Sequence, residues 1–514
     1  MTVERSILFW LTVAISTILL PEMLLGQAFQ GYTLYSPNNS RNTYLLDMNN
    51  KVVHSWAHNR SGGYSVYLLS DGSVLRPAMA SSAQLGGAGA EGVVQRVAWD
   101  GTVLWDYTYS SSQYLAHHDI EPMPNGNVLI IAWEVKSATQ AVQAGLNRSV
   151  SIWPDHIIEV QPVGTNGGNI VWQWHAWDHL VQDYDATKSN YGVVKNHPEL
   201  LNINMGVSGM GIGGGDWMHL NAISYNPDLD QIAISSHTLN EVYIIDHSTT
   251  TVEAASHQGG KSGKGGDILY RWGSPSNYGA TGSQYFSVVH CAWWIPSGLP
   301  GAGNLMAFNN GDNQMRSVVV ELVLPVSSAG IYSLDVGSAY GPSVPSWTYT
   351  AGDFYTDHLG GCQRLPNGNT LIVESTSGNM FEVNTTGNVQ WSYSPGGEIV
   401  RVLRYASTYS GVRQLTTDTP DVADAIPAAF ELSQNYPNPF NPTTQITFSL
   451  PKESHVTLEL FTMIGARVAT LTNRRYSSGK HSLTLDATRL PSGVYLYKMT
   501  ADKIVSVKKL VVLK

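Results

Sequence analysis

The sequence predicts an all-β protein in which a six-bladed β-propeller precedes a small β-sandwich. Glycine (49), tyrosine (26) and tryptophan (15) are plentiful among the 514 residues, as expected for strands joined by tight turns. Charged residues make up only 13%, about half the usual share of roughly 25%. A turn-and-strand pattern recurs between residues 30 and 405, and spaced tryptophans recur with it, which favours a repeat architecture.

The N-terminus is typical of a secretory signal peptide. Arg5 precedes the apolar run Ile7–Leu20, which Pro21 ends. The run is shorter than the roughly 20 residues that span a bilayer, so we expect cleavage near Gly26 to Ala28 and assign residues 1–28 to the signal. An uncleaved anchor is the alternative. No other segment is apolar enough over a sufficient length, so the mature chain is predicted to have no membrane span.

Residues 29–406 are predicted to form the propeller. A glycine turn feeds an apolar strand in "LLSDGSVLR" (68–76), "PMPNGNVLIIAW" (122–133) and "RLPNGNTLIVES" (364–375). Asp-Gly and Asn-Gly between apolar runs are strong hairpin signals, because glycine takes a positive φ without strain.

A second pattern is a turn and strand that ends in tryptophan. It recurs six times, at Trp56, Trp105, Trp172, Trp272, Trp347 and Trp391. The spacing leaves room for one four-stranded unit per tryptophan, so six anchors predict six blades around a central channel. An array of two-sheet sandwiches is the alternative.

The C-terminal part changes character. Residues 407–428 are small, polar and acidic, which is typical of a linker. Residues 429–514 contain alternating strands such as "QITFSL" and "HVTLELF", which predict the β-sandwich.

This tail resembles the type A sorting domain of the type IX secretion system. The matching stretches are "NYPNPFNPTT", "MIGARV", "LPSGVYLYKM" and the terminal "KKLVVLK". The resemblance implies a partnership with the type IX secretion machinery, with the protein released or held at the cell surface. A carbohydrate-binding sandwich is the alternative.

The propeller resembles the bacterial aryl-sulfate sulfotransferases. The matching stretches are "HHDIEPMPNGNVLI" (117–130), residues 215–249, "ILYRWGSP" (268–275), residues 288–313 and residues 364–375. The resemblance implies a six-bladed propeller that moves a sulfuryl group from an aryl sulfate donor to a phenolic acceptor through a histidine intermediate. It implies no nucleotide sulfate donor and no cofactor.

Histidines stand at the starts or ends of apolar strands in several different repeats. They are His118, His219, His237, His290 and His358. Each alone is more typical of a structural position, but equivalent positions of successive blades face one axis, so together they are expected at one end of the channel. Imidazoles there can serve as nucleophile, donor and proton carrier near neutral pH.

The resemblance assigns catalytic roles to four of these residues. His290 matches the nucleophile, while His118 and His219 match two further active-site histidines. His237 stands where the family has an arginine, in "SSH" instead of "SSR". Histidine grips sulfate less firmly than a permanently charged guanidinium.

Substrate-binding candidates complete the predicted site. His358 or Arg364 would compensate for the missing arginine, and Trp293 and Trp294 would offer an aromatic wall to a phenol ring. Blade packing is the alternative for both tryptophans. Asp119 and Asp216 are placed in sequence to orient imidazoles, or to cap turns.

Two rival functions remain at this level. The histidines would hold copper or zinc, although no HExxH or CxxC motif supports a metal and we predict none. The propeller would otherwise be a binding module for glycan or protein. The formal net charge of -10 argues against nucleic acid as a partner. Cys291 and Cys362 allow either one disulfide or two buried thiols.

Overall fold

The computed structural model describes residues 27–206, 215–335, 337–417, 430–435, 438–476, 479–502 and 504–513. The chain divides into two compact units, Met1–Thr416 and Thr417–Lys514. The predicted signal peptide, except its last two residues, and the second half of the predicted linker lie outside the described residues. Over the described ranges, no helix has the length and apolarity needed to cross a membrane.

The first unit begins with seven strands. They are β1 (Gly31–Pro37), β2 (Ser40–Leu46), β3 (Val52–Gly62), β4 (Tyr67–Leu68), β5 (Val74–Met79), β6 (Gly92–Val97) and β7 (Val103–Thr108). The next segment contains β8 (Tyr114–Pro122), β9 (Val128–Glu134), helix α1 (Ala138–Gln143), β10 (Asp155–Val163), β11 (Gly167–His175) and the parallel pair β12 (Leu180–Val181) and β13 (Leu201–Asn202).

The middle of the unit contains β14 (Leu220–Asn226), β15 (Gln231–Ser236), β16 (Glu241–Asp246), helix α2 (Thr251–Ala254) and β17 (Tyr270–Trp272). It continues with β18 (Val289–Trp294), β19 (Leu305–Asn309), β20 (Val318–Leu322) and β21 (Trp347–Tyr349). The last elements are β22 (Gly361–Arg364), β23 (Thr370–Glu374), β24 (Asn379–Val383), β25 (Val389–Tyr393), β26 (Ile399–Ala406) and helix α3 (Gln414–Thr417).

These strands form six antiparallel blades, as predicted. Blades 1 to 5 are β4–β7, β8–β11, β14–β17, β18–β21 and β22–β25, and blade 6 combines β26 with β1–β3. The ring closes because β26 is the innermost strand of blade 6 and pairs with β1, with Leu34 opposite Leu403. A single pairing of Gly62 with Ala78 also joins blade 6 to blade 1.

The tryptophans that marked the repeats link neighbouring blades. In five blades the indole Nε1–H donates to an acceptor in the following blade: Trp56 to Ala98 O (3.1 Å), Trp105 to Gly167 O (2.8 Å), Trp172 to Thr249 Oγ1 (3.0 Å), Trp272 to Pro342 O (2.7 Å) and Trp347 to Thr385 O (3.0 Å). The repeat pattern of the sequence therefore reports the contact between blades.

The first described residues after β26 remain on the propeller. The Tyr409 hydroxyl donates to Leu68 O at 2.9 Å, and Val412 is buried in a short 3-10 helix. The predicted linker thus begins with residues that pack on blade 1.

The second unit is the predicted sandwich. Its strands are β27 (Glu431–Leu432), β28 (Thr443–Leu450), β29 (Ser454–Thr462), β30 (Arg467–Tyr476), β31 (Gly479–Asp486), β32 (Gly493–Ala501) and β33 (Ile504–Val512). One sheet has the order β27-β28-β31 and the other β30-β29-β32-β33. Alternate residues such as Phe448, Leu458 and Tyr497 are buried between the sheets.

Candidate active site

The inner strands of blades 2, 3 and 4 are each irregular at a histidine. The strand register shifts between Ala116 and Ile120 in β8, between Leu220 and Ala222 in β14, and between His290 and Trp293 in β18. His118 (φ 54°) and His219 (φ 52°) have left-handed backbone conformations, and such non-glycine positions are uncommon and concentrate at functional sites. A bulge re-aims a side chain, which allows these imidazoles to leave the alternation of the sheet.

The four predicted catalytic histidines form one row of rings. The ring centroids are 4.5 Å apart for His118 and His219, 4.9 Å for His219 and His237, and 5.6 Å for His237 and His290. Residues from blades 2, 3 and 4 thus meet at one end of the channel. They contact in succession along a row instead of surrounding a common centre.

Asn310 fixes the tautomer of His290. Its amide Nδ2 donates to Thr356 O (2.8 Å) and Leu359 O (2.6 Å), so its Oδ1 must face the imidazole. His290 Nδ1 lies 2.7 Å from that oxygen and therefore donates to it. The proton is then on Nδ1 and the lone pair on Nε2, which accepts a long hydrogen bond from Leu359 N–H at 3.3 Å.

His118 is held from behind by a second histidine. Its Nδ1 lies 2.8 Å from His117 Nδ1, and His117 Nε2 lies 2.8 Å from Asp155 Oδ1. Gly89 packs against the ring so closely that a Cβ there would lie 2.2 Å from His118 Cε1. The contact with His117 uses His118 Nδ1 and leaves Nε2 on the other side of the ring. Tyr64 packs edge-on to His118 with a centroid distance of 5.0 Å.

His219 is oriented by a carboxylate. Its Nδ1 lies 2.5 Å from Asp216 Oδ2, and Trp133 Nε1 donates to Asp216 Oδ1 at 3.0 Å. Burial alone would raise the pKa of Asp216, but hydrogen bonding to His219 keeps it below the usual value. Asp216 therefore orients His219, the arrangement of an acid–base dyad.

Burial keeps His118 and His290 neutral. It lowers the pKa of His290 well below the usual value, and the positive charge of a protonated His237 would lower it further. Burial likewise lowers the pKa of His118, with His219 and His117 adding to the effect. At neutral pH both rings are uncharged, so the Nε2 lone pair of His290 is available for nucleophilic attack.

Neither predicted replacement for the family arginine has a free charge. The pKa of His358 is raised to about 9 by its hydrogen bond to Glu398 and by Asp357, but both ring nitrogens contact those carboxylates, at 3.1 and 2.6 Å. Arg364 pairs with Glu321 at 2.5 Å and donates to Gly368 O, so its contacts favour a structural role in blades 4 and 5.

The structure places neither predicted tryptophan beside His290. Trp294 is buried in the core between blades 3 and 4. Trp293 lies three residues further along β18, beyond the bulge that follows His290, and lines a cavity of about 690 Å³. Residues at the corresponding ends of the other inner strands share that cavity: Tyr67, Glu121, Ser224, Gln363 and Leu403.

An ion pair lies in the channel between the histidines and this cavity. Arg401 Nη2 lies 2.8 Å from Asp119 Oδ2, and both side chains are buried. Asp119 therefore pairs with Arg401. It does not orient an imidazole, which was one of the two roles considered for it from the sequence.

The two cysteines are free thiols. Cys291 Sγ and Cys362 Sγ are 3.8 Å apart and buried between β18 and β22.

Three residues of the site were not predicted from the sequence. Asn310 follows the apolar strand β19 in "AFNNGDN", where an asparagine reads as a turn residue. His117 precedes His118 in "HHD", and this pair of adjacent histidines is the feature from which its role could have been predicted. Asp155 begins β10 and comes to His117 only through the pairing of strands within blade 2.

Comparison with known proteins agrees with the resemblances seen in the sequence. A family model described as arylsulfotransferase (ASST) matches residues 86–410, and one described as a secretion system C-terminal sorting domain matches residues 434–513. The first covers more than half of the chain. The second is a type IX sorting domain, which indicates secretion and an extracellular or cell-surface location.

Similar solved structures include a protein of unknown function from Bacteroides caccae, with 12% identity, coverage of 73% of this chain and 98% of that one, and a TM-score of 0.40. The Dos1 propeller has 9% identity, coverage of 95% and 96%, and a TM-score of 0.32. Apo AztD from Citrobacter koseri has 8% identity, coverage of 89% and 99%, and a TM-score of 0.30. No curated protein matches the chain significantly.

Proposed function

Because this chain belongs to the arylsulfotransferase family, we propose that it moves a sulfuryl group from an aryl sulfate to a phenol by a ping-pong route through His290. The observation that carries the proposal is the fixed tautomer of His290, whose Nδ1–H donates to Asn310 Oδ1. The Nε2 lone pair of this buried, neutral ring lies in the row of histidines.

In the first half-reaction, His290 Nε2 attacks sulfur in line with the bond to the phenolic oxygen. The N–S bond forms as the S–O bond breaks, and its electron pair leaves on the phenolate. His219, whose Nδ1–H is held by Asp216, enters this step protonated on both ring nitrogens and gives its Nε2 proton to the phenolate, which leaves the ring neutral. In the second half-reaction His219 accepts the proton of the incoming phenol, whose oxygen attacks sulfur and returns the electron pair to Nε2.

His118 donates a hydrogen bond to a sulfuryl oxygen in this scheme. Burial and the charge of Asp216 raise the pKa of Asp155 well above its usual value, and in this scheme Asp155 acts as the protonated acid. That proton faces His117 Nε2, which leaves the His117 proton on Nδ1, directed at His118 Nδ1. The proton of His118 is then on Nε2, on the side of the ring opposite His117.

The backbone supplies a further donor. Leu359 N–H reaches His290 Nε2 at 3.3 Å, a long contact that a sulfuryl group on Nε2 would replace with a bond to one of its oxygens. Tyr64, half-buried beside His118, is a better placed aromatic surface for the phenol ring than Trp293 or Trp294.

The test uses purified protein and 4-nitrophenyl sulfate, with and without added phenol. We expect phenol-dependent release of nitrophenol and a sulfuryl-sized mass gain that peptide mapping at alkaline pH assigns to His290. Both are lost in His290→Ala and retained in His197→Ala, a half-buried histidine paired with Glu199 outside the row. A folded wild-type protein with neither adduct nor turnover would favour the binding-module alternative.

A further inference from the structure

A second cluster of metal-ligating side chains lies outside the channel. His179 follows blade 2, and His257 and Asp267 lie in the loop between α2 and β17. In the sequence this loop contains "GGKSGKGG", which has the composition of a flexible glycine loop. Throughout the described residues, this is the one group of three whose ligand atoms all lie within 4.8 Å of one another.

Two imidazole nitrogens converge on one carboxylate oxygen. His179 Nδ1 lies 2.8 Å and His257 Nδ1 lies 2.7 Å from the same atom, Asp267 Oδ1. His179 is fully buried, Asp267 nearly so, and the side chain of His257 is 59% exposed. The cluster thus has a rigid inner side and one side open to solvent.

The hydrogen bond of the second ring nitrogen, Nε2, fixes the tautomer of His179. His179 Nε2 lies 2.8 Å from Ala254 O, and because a carbonyl only accepts, this nitrogen carries a proton. In the neutral ring the Nδ1 atom that faces Asp267 is then a lone pair. A histidine that ligates a metal characteristically donates its other N–H to a backbone carbonyl or carboxylate.

The surrounding chain is shaped for this arrangement. A Cβ on Gly266 would lie 2.0 Å from Ala254 O and 2.6 Å from His179 Nε2, so only glycine can pass there. Trp174 Nε1 donates to Gly266 O at 2.7 Å, which fixes the loop against blade 2. The rings of Trp174 and His179 are nearly parallel, with centroids 5.8 Å apart.

We propose that His179, His257 and Asp267 form a zinc(II) site that ties the loop of blade 3 to blade 2. Two imidazoles and one carboxylate are a donor set that zinc accepts, at about 2.0–2.2 Å, with a fourth position for water. The exposed side of His257 gives that position access to solvent. Calcium and magnesium prefer sites built from oxygen alone, so they fit this donor set less well.

The site is tested on the full chain, stripped with EDTA and desalted. Zinc chloride is added in equimolar amount, and retained zinc is measured by mass spectrometry with the thermal midpoint. We expect one bound zinc and a raised midpoint for the wild type, and at least tenfold weaker binding in Asp267→Asn and His257→Gln. His257 is exposed, so its substitution does not endanger folding.

The matched control is His197→Gln, which removes a histidine that contacts one carboxylate, Glu199, at 2.9 Å and belongs to no such trio. It should retain zinc as the wild type does. Equal zinc retention by the wild type and both site variants would overturn the proposal, as would a calcium effect on the midpoint as large as that of zinc. The outcome is independent of sulfuryl transfer, because the readouts are binding and stability.

Discussion

Replacing Asn310 with alanine tests the orientation of the proposed nucleophile. The change removes three hydrogen bonds, of 2.7, 2.8 and 2.6 Å, to His290, Thr356 and Leu359. At about 1 kcal/mol each, the free energy of unfolding should fall by about 3 kcal/mol. The orphaned Nδ1–H of His290 costs about 1–3 kcal/mol unless the ring turns or changes tautomer.

If the same cost is added to the activation free energy of the first half-reaction, the rate of nitrophenol release falls roughly 10- to 100-fold, since about 1.4 kcal/mol corresponds to a factor of ten. The assay is the single-turnover burst with 4-nitrophenyl sulfate, corrected for the folded fraction. Asn309→Ala is the matched control, because Asn309 also makes three hydrogen bonds, to Ser287, Gly311 and Tyr285, and none to His290. Equal slowing in both variants, or no slowing in Asn310→Ala, would refute the reasoning.

Asn310→Asp provides an independent check that keeps the shape of the side chain. A carboxylate at this position stabilises the imidazolium form and raises the pKa of His290, so the ring is protonated and unreactive below that pKa. The burst rate of the variant should therefore rise with pH across the neutral range. The wild-type rate should not show this rise, because burial already holds the pKa of His290 well below its usual value.

Three further predictions follow from contacts of single residues. His237→Arg restores a permanent charge, so KM for the aryl sulfate should fall about tenfold and depend less on pH, as steady-state kinetics would show. The pKa of His358 in the folded protein is raised to about 9, so its contribution to stability is complete below pH 6.5 and is lost as the pH rises through about 9. Urea unfolding of His358→Gln at pH 6 and pH 9.5 should therefore show a lower stability than the wild type only at pH 6. Trp172→Phe should lower the free energy of unfolding by about 1 kcal/mol more than Trp391→Phe does. The reason is that Trp172 Nε1 donates to Thr249, while Trp391 Nε1 has no partner in the described chain. Equal losses of stability in chemical denaturation would contradict this.

The repeat architecture was predictable because, in five of the six blades, the recurring tryptophan has the same structural task. The strand containing Trp56 or Trp105 ends in an indole that reaches the next blade, so the pattern survives irregular spacing. The histidines were predictable for a similar reason, since His118, His219 and His290 stand at comparable points of successive inner strands.

The parts that sequence could not supply depend on distances along and between strands. Trp293 is only three residues from His290, yet β18 bulges between the two, and Trp293 lines the cavity instead of the row of histidines. Arg364 was a natural candidate for an anion grip, but its partner Glu321 lies on β20 of the neighbouring blade. Asn310 acts through hydrogen bonds to Thr356 and Leu359, which only the packing of blade 5 against blade 4 brings within reach.

The charge of the site also bears on which esters it accepts. A sulfate monoester has one negative charge, whereas a phosphate monoester, with a second pKa near 6, has close to two at neutral pH. The cost of burying an ion without a counter-charge rises steeply with its charge. Arg401 is already paired with Asp119, and His358 with two carboxylates, while His118 and His290 are neutral. The hydrogen-bond donors of such a row can stabilise a single negative charge, but they leave the second charge of a phosphate uncompensated. The two esters have similar tetrahedral shapes, so the site should distinguish them by their charge. With histidine at position 237 in place of the family arginine, the discrimination should be stronger, because no permanent cation there offsets the second charge.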